Sequence, residues 1–223
     1  TVNEVLDGYE GYSAANLYNN PKFVQMFYSN IPLMSSGYTP QIGDSQSTLS
    51  KDHWMGTTVA VEGWRKLRDP VFAQILYLLN GNSAKGLHYD ITDAEPERLE
   101  REVQEIINEY GEFEIKSDIM TNFGFAALRD GHDFSNANGA TASNTSRDVW
   151  MYFGSTSGHG HADTLNLGMT AFGLNFMPDL AYPETTGTQP NRLQWISFVL
   201  SHNTVMVDCE NQKSNSEIRG KIK

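Results

Sequence analysis

Cysteine is nearly absent from this sequence, and basic residues are outnumbered by acidic ones. Its 223 residues include one cysteine, Cys209, so no disulfide can form within the chain. The 16 Lys and Arg residues stand against 27 Asp and Glu residues, which gives a formal net charge of −11. Nonspecific binding to nucleic acid requires a basic surface, so this charge balance argues against that class of partner.

Long apolar runs are also lacking. The sequence has no continuous apolar run long enough to span a bilayer. It also lacks the basic, apolar and small-residue pattern of a signal peptide. We therefore expect no membrane partner. Because the chain starts at Thr1 and ends in EIRGKIK, which completes no recognisable element, we expect it to be a piece of a longer protein.

The first half of the chain has the sequence pattern of helices. Asn20 and Asp69 each suit the N-cap position, and each is followed by a proline at the first helical position. A third segment, EPERLEREVQEIINEYG, carries one apolar stripe at helical spacing and ends at Gly111, which suits a C-terminal cap. These signals predict helices up to about residue 111.

The second half changes to a period of two. Apolar residues alternate in DVWMYFG (148–154), in TLNLGMTAF (164–172) and in HNTVMVD (202–208), a pattern typical of half-buried antiparallel strands. The stretch between Arg129 and Asp148 is rich in Asn, Ser, Gly and Ala, which predicts a long loop. The sequence thus predicts an α+β fold, with a helical segment at 1–111 and an antiparallel β domain at 112–223.

Histidines and an aspartate cluster in the stretch GHGHADTLNL, at residues 158–167. His159 and His161 precede one predicted strand, and His202 opens another. A zinc site needs three or four N, O or S ligands, usually from more than one segment. His161, His202 and one aspartate, either Asp163 or Asp179, could supply them. Spacing alone leaves both aspartates open, since each could be a turn residue, and a lone histidine at a strand edge is more often a hydrogen-bonded surface residue.

The pattern H-x-H-x-D also resembles a motif of the metallo-β-lactamase superfamily. In that superfamily a further histidine normally follows the aspartate, where this chain has Thr164. Antiparallel strands follow the motif here, whereas that fold places it in an α/β sandwich. A metal-dependent hydrolase is therefore the weaker hypothesis.

A longer set of motifs resembles the heparinase II/III-like polysaccharide lyases. Between residues 148 and 208, an aromatic strand ending in glycine is followed by GHGHAD, a strand, PDLAY and SHNTVMVD. FGFAALRDG (123–131) also fits, and GYTPQIGDS (37–45) fits less tightly. The resemblance implies the last helices of an incomplete α/α toroid followed by an antiparallel β-sandwich.

The resemblance also implies site residues, carried over position by position. His161, Asp179 and His202 match the zinc ligands of the family, where the metal is structural and organises a loop beside the active site. His159 matches the catalytic histidine. Asp163 would then fix a turn or support a ligand. The tyrosine and the asparagine or histidine that the family supplies from its toroid have no trusted match; Tyr9, Tyr12 and Tyr38 are interpreted as packing residues.

By resemblance, the predicted function is cleavage of a uronic-acid-containing acidic polysaccharide by β-elimination. The size of such a substrate suggests a periplasmic or secreted location. A second hypothesis is a non-catalytic, zinc-stabilised β-sandwich module that binds glycan. Five side chains could contact sugar directly: Trp150, Tyr152, Tyr182, Arg192 and Trp195. Of these, Trp150 is interpreted as a core residue.

Overall fold

The structure of the protein is a computed structural model that describes residues 16–37, 39–45, 55–130, 145–156, 158–182 and 192–213. These residues combine helices with an antiparallel sheet, in agreement with the predicted α+β class. They form two compact units. The helical unit contains the described residues up to Ile31 and Met55–Phe113, and the sheet unit contains Pro32 to Ser45 and the described residues from Glu114 onwards. The toroid, the β-sandwich and the boundary at 111 stay predictions.

Three of the described helices of the helical unit lie where the sequence predicts helices. Asn20 and Asp69 each accept a hydrogen bond from a backbone N–H two residues later, and a proline follows each of them. Gly111 caps the last helix. One helix, which starts after Gly56 without a side-chain cap, was not predicted. The helices are α1 (Pro21–Tyr28), α2 (Thr57–Leu67), α3 (Pro70–Leu79) and α4 (Arg98–Tyr110).

Apolar side chains from α2, α3 and α4 fill the interior of the helical unit. Phe72, Ile75 and Leu76 of α3 are fully buried, as are Leu99 and Val103 of α4. Burial of this apolar surface is the main stabilising contribution to such a bundle. Within the described residues, no helix is both long and apolar enough to cross a membrane.

The described residues of the sheet unit form an antiparallel meander of five strands in sequence order. Consecutive strands pair with one another throughout, so each neighbour in the chain is also a neighbour in the sheet. The strands are β1 (Asp118–Met120), β2 (Phe125–Asp130), β3 (Arg147–Tyr152), β4 (Asn166–Ala171) and β5 (Leu174–Asn175). Strands β3 and β4 confirm two of the predicted segments.

The buried face of the sheet is aromatic. Trp150 on β3 pairs with Ala127 on β2 and with Gly168 on β4. A Cβ at Gly168 would lie 2.0 Å from the Trp150 ring, so the indole packs directly on the glycine. The apolar residues of β4 predict that Leu167 and Met169 face the core. The structure shows the opposite: Asn166 and Gly168 are buried, and Leu167 and Met169 are only partly buried. The interpretation of Trp150 as a core residue agrees with its burial.

The third predicted strand, HNTVMVD, is wrong. Residues 202–206 have no regular structure, and Val207 forms only an isolated bridge with Glu210. Specific side-chain bonds hold this segment to the start of β4: the backbone N–H of Asn203 donates to Asn166, and the Thr204 hydroxyl donates to the Thr164 carbonyl. The predicted loop lies largely at 131–144, outside the described residues, as do Tyr9, Tyr12 and Tyr38.

Candidate functional site

Three of the residues implied by the family resemblance lie together in the sheet unit. His161, Asp179 and His202 each offer one ligand atom, and these atoms lie within 4.8 Å of one another. All three residues are buried, and the two imidazole ring centres are 5.1 Å apart. The structure thus brings together residues separated by more than 40 positions in a cluster that could bind a metal ion.

Loops at one end of β4 position the three side chains. The backbone N–H of Ala162 donates to the Ser197 carbonyl at 3.1 Å, which ties the segment carrying His161 to the segment preceding His202. Asp179 lies in the loop after β5, and its Oδ1 accepts the N–H of Ala181 at 2.8 Å. His202 follows a short 3₁₀ turn, Val199–Ser201. The cluster therefore depends on contacts between loops.

Two buried nitrogens of the cluster favour a cation. Neither Nδ1 of His161 nor Nε2 of His202 has a hydrogen-bond partner among the described residues. Leaving a buried polar atom unsatisfied costs about 1–3 kcal/mol. An ion that accepts both lone pairs removes that cost, and two imidazoles with a carboxylate form a ligand set that suits zinc. The residues present therefore fit a metal ion.

Asp179 is also held by its neighbours. Its Oδ2 accepts a hydrogen bond from the Asn166 side-chain amide at 2.8 Å and lies 2.8 Å from Nδ1 of His202. Ligand atoms around tetrahedral zinc are separated by roughly 3.4 Å, given bonds of about 2.0–2.1 Å. Because the three ligand atoms lie within 4.8 Å of one another, the widest pair would need to approach by at most about 1.4 Å to bind such an ion.

Burial and charge shift the pKa values of the two imidazoles in opposite directions. Burial lowers the pKa of His161, and the nearby His202 acts in the same sense, although Asp44 and Asp179 oppose the shift. Burial also acts to lower the pKa of His202, but the hydrogen bond and charge of Asp179 outweigh it, so the net shift is upward. A metal ligand must be a neutral imidazole. Metal binding is therefore expected to weaken as the pH falls.

Asp163 lies outside the ligand group. The spacing of the sequence had left the choice between Asp163 and Asp179 open. The described residues contain one cluster of three potential ligands, and its carboxylate is that of Asp179. Asp163 is nevertheless buried, and neither of its carboxylate oxygens bonds to another described residue. Burial, reinforced by the charge of Asp179 and opposed by His202, raises the pKa of Asp163 to about 7.

His159 has a different environment from the other two histidines. Its side chain is 92% exposed, and its Nδ1 lies 3.2 Å from Oδ2 of Asp44. The other carboxylate oxygen of Asp44, Oδ1, lies 3.1 Å from Nε2 of the buried His161. A single carboxylate thus contacts both histidines of the GHGHAD motif. Because the cluster contains neither His159 nor Asp163, the arrangement differs from a site that uses the whole H-x-H-x-D motif as ligands.

Asp44 and Asn166 were missed at the sequence level. GYTPQIGDS contributed to the family resemblance, but nothing in its composition separates Asp44 from other loop acids. Asn166 occupies a position that the alternating pattern treats as outward-facing. One signal in the sequence could have identified Asn166: it is an asparagine that interrupts an apolar strand next to a candidate histidine motif.

An open cleft lies beside His159. It has a volume of about 340 Å³, and its wall includes Gly160, Asp44, Phe123 and Tyr152. The rings of Phe123 and Tyr152 are 5.8 Å apart and inclined to each other, so part of the wall is aromatic. Of the other candidates for sugar contact, Trp195 is exposed and Tyr182 is half-buried, while the Arg192 side chain lies outside the described part.

Comparison with known proteins gives a distant relationship of fold. No protein-family model matches the chain, and no curated protein does. Among solved structures, the chain is similar to one described as "Heparinase III-BT4657 gene product", with 15% identity and a TM-score of 0.50, over 94% of this chain and 27% of that chain. It is also similar to a crystal structure of heparinase III, with 14% identity and a TM-score of 0.50, over 95% of this chain and 29% of that one. At these identities the likeness concerns the fold alone. The chain spans less than a third of the length of these neighbours.

Proposed function

We propose that this chain is part of a polysaccharide lyase that cleaves an acidic, uronic-acid-containing glycan by β-elimination. The observation that carries the proposal is an exposed imidazole, His159, at the wall of an open cleft and next to a buried His-Asp-His cluster. The fold likeness to heparinase III is consistent with it. A periplasmic or secreted location would give such an enzyme access to a polymeric substrate.

The proposed reaction breaks the bond between C4 of a uronic acid residue and the glycosidic oxygen. A base removes the C5 proton, the electrons of that C–H bond form a C4–C5 double bond, and the oxygen leaves with a proton from an acid. Negative charge develops on the adjacent carboxylate, so a cation or a hydrogen-bond donor close to it lowers the barrier. The products are a shorter chain and an unsaturated sugar.

His159 is proposed as the base, or as the group that neutralises the substrate carboxylate. A neutral imidazole has one nitrogen that can accept a proton and one N–H that can donate a hydrogen bond, which suits either task. General acid–base catalysis by one side chain contributes about 10²–10⁴-fold to the rate. His161, Asp179 and His202 would hold zinc, and when bound the ion would stiffen the loops around the cleft. A structural role of this kind leaves the proton transfer to the chain's own side chains.

Ultraviolet absorbance tests the proposal, because the new double bond is conjugated with the carboxylate. The longest natural protein that contains this chain is incubated with a panel of uronic-acid glycans, and the absorbance is followed with time. We expect at least one substrate to give an absorbing product. His159→Ala should lower kcat/KM by about 10²–10⁴-fold, and His88→Ala, which changes an exposed histidine of the helical unit, should not.

Each alternative has its own outcome in the same assay. Cleavage without an absorbing product would indicate a hydrolase and would overturn the elimination. Binding of a glycan without cleavage, unchanged by His159→Ala, would indicate a non-catalytic module. A chelator that abolished turnover at once in a protein that remained folded would contradict the structural role given to the metal.

A further inference from the structure

The carboxylate of Asp44 joins two histidines of different kinds. Its side chain is only 3% exposed, so it is largely withdrawn from water. One oxygen contacts Nδ1 of the exposed His159 and the other contacts Nε2 of the buried His161. These two contacts link the face of the cleft to the candidate metal cluster through one side chain.

The backbone around Asp44 makes this contact specific. The Asp44 N–H donates to the His159 carbonyl at 2.8 Å, so the loop is bonded to the motif through main chain as well as side chain. Gly43 has a φ of +55°, and a Cβ at that position would lie 2.5 Å from the same carbonyl oxygen. The left-handed conformation and the close approach both require glycine. The loop is thus shaped to bring Asp44 against the motif.

The chemistry of a carboxylate determines which nitrogen of each ring carries hydrogen. An ionised carboxylate only accepts hydrogen bonds, so each nitrogen that faces it must be an N–H. A neutral imidazole has one N–H and one lone pair. Neutral His161 would therefore have its lone pair on Nδ1, and neutral His159 would have its lone pair on Nε2. Nδ1 of His161 is independently found without a partner among the described residues, as a ligand nitrogen would be.

We propose that Asp44 is a positioning residue that sets the tautomers of His159 and His161 at the same time. It presents the Nδ1 lone pair of His161 to the metal cluster and the Nε2 lone pair of His159 to the cleft. The part that concerns catalysis rests on the proposed lyase function with His159 as the base, because a lone pair at the cleft could not neutralise a carboxylate; the part that concerns the tautomers does not. Carboxylates that bond the second nitrogen of a ligand histidine commonly fix its orientation in this way.

Three substitutions separate the acceptor role of Asp44 from its bulk. Asp44→Asn keeps the shape but offers one acceptor and one donor group, so it can satisfy only one of the two N–H groups. Asp44→Ala removes both acceptors, and Asp44→Glu retains both. Asp130→Asn, an exposed carboxylate on β2, serves as the matched control.

Long-range ¹⁵N–¹H NMR of the imidazoles is the first readout, because the nitrogen shifts distinguish an N–H from a lone pair. The spectra are recorded with and without Zn²⁺, and His159→Ala and His161→Ala assign the signals. We expect the wild type to show His159 as the Nδ1–H form and His161 as the Nε2–H form. In Asp44→Asn, one of the two histidines should change to the other tautomer or show a mixture of tautomers. In Asp44→Ala both histidines should show a mixture, and Asp44→Glu should keep the wild-type tautomers.

Zn²⁺ affinity, measured by competition with a chelator, is the second readout. Loss of a supporting carboxylate typically lowers metal affinity or activity by about 10–100-fold, so Asp44→Asn and Asp44→Ala should bind Zn²⁺ that much more weakly than Asp130→Asn. In a lyase assay kcat should fall while KM changes little. Wild-type tautomers and wild-type Zn²⁺ affinity in a folded Asp44→Asn would overturn the proposal. Neither the NMR spectra nor the Zn²⁺ affinity requires turnover. If the protein proves not to be a lyase, these two measurements therefore still test the role of Asp44.

Discussion

The side-chain amide of Asn166 donates a hydrogen bond to Oδ2 of Asp179 at 2.8 Å, and both residues are buried. The carbonyl oxygen of the same amide accepts the backbone N–H of Asn203, the residue after His202. Asn166 thus bonds to one member of the candidate metal cluster and to the immediate neighbour of another. The first residue of β4 connects the two loops that carry them.

Removal of that amide should weaken metal binding. Asn166→Ala leaves Asp179 without one partner and releases the N–H of Asn203, so both loops lose an orienting bond. We expect Zn²⁺ affinity to fall by about 10–100-fold, as measured by chelator competition. Asn108→Ala, on the exposed face of α4, should leave the affinity unchanged. Equal affinities in the two variants would show that Asn166 does not support the site.

Zinc should stabilise the fold through the buried cluster. A ligand that binds only the folded state at about 100 times its Kd adds about 2.7 kcal/mol to the free energy of unfolding. We expect a chelator to lower the Tm of the wild-type protein and of His88→Ala. His161→Ala and His202→Ala should have a low Tm that does not respond to the chelator. A folded wild-type protein that takes up no zinc on titration would contradict the ligand assignment.

The contact between Trp150 and Gly168 should limit what the sheet tolerates. Gly168→Ala places a methyl group where the indole now lies, so the ring or the strand has to move. Overpacking of this kind costs about 1–3 kcal/mol, and we expect a loss of that size in denaturant unfolding. Gly56→Ala is the control for the added methyl group, because a Cβ there meets nothing within 4 Å and the φ is −77°; its loss should be the smaller one expected of alanine at a helix N-cap. A Gly168→Ala protein as stable as the control would contradict this packing.

Asp148 should make the stability of the sheet unit depend on pH. Burial raises the pKa of this carboxyl above its ordinary value of 3.8, although Ser36 and Arg129 oppose the shift. The folded state therefore binds the proton more tightly than the unfolded state, and this contribution to stability declines as the pH rises from about 3.8 through the folded pKa. Asp148→Asn should remove this decline from the unfolding free energy, whereas Asp130→Asn, whose side chain is exposed, should preserve it. A decline of the same size in both variants would assign it to other groups.

Local chemistry determined much of the fold in advance. Asn20 and Asp69 cap helices because their side-chain oxygens accept free N–H groups of the first turn, and the proline that follows each has no N–H of its own to satisfy. The alternation over 148–154 and 164–172 predicted two strands that the structure contains. The alternation did not predict which face of β4 is buried. Gly168 is buried because its lack of a side chain leaves room for the Trp150 ring.

The sequence by itself determined which histidines to consider and, through the family resemblance, that Asp179 should accompany them. Only the tertiary structure brought His161, Asp179 and His202 within ligand distance, because three separate loops have to meet at one end of β4. It also decided the place of Asp44, which lies 115 positions before His159 and is positioned by a backbone bond and by a glycine. Contacts between distant loops depend on the packing of the whole unit, and no local sequence pattern encodes them.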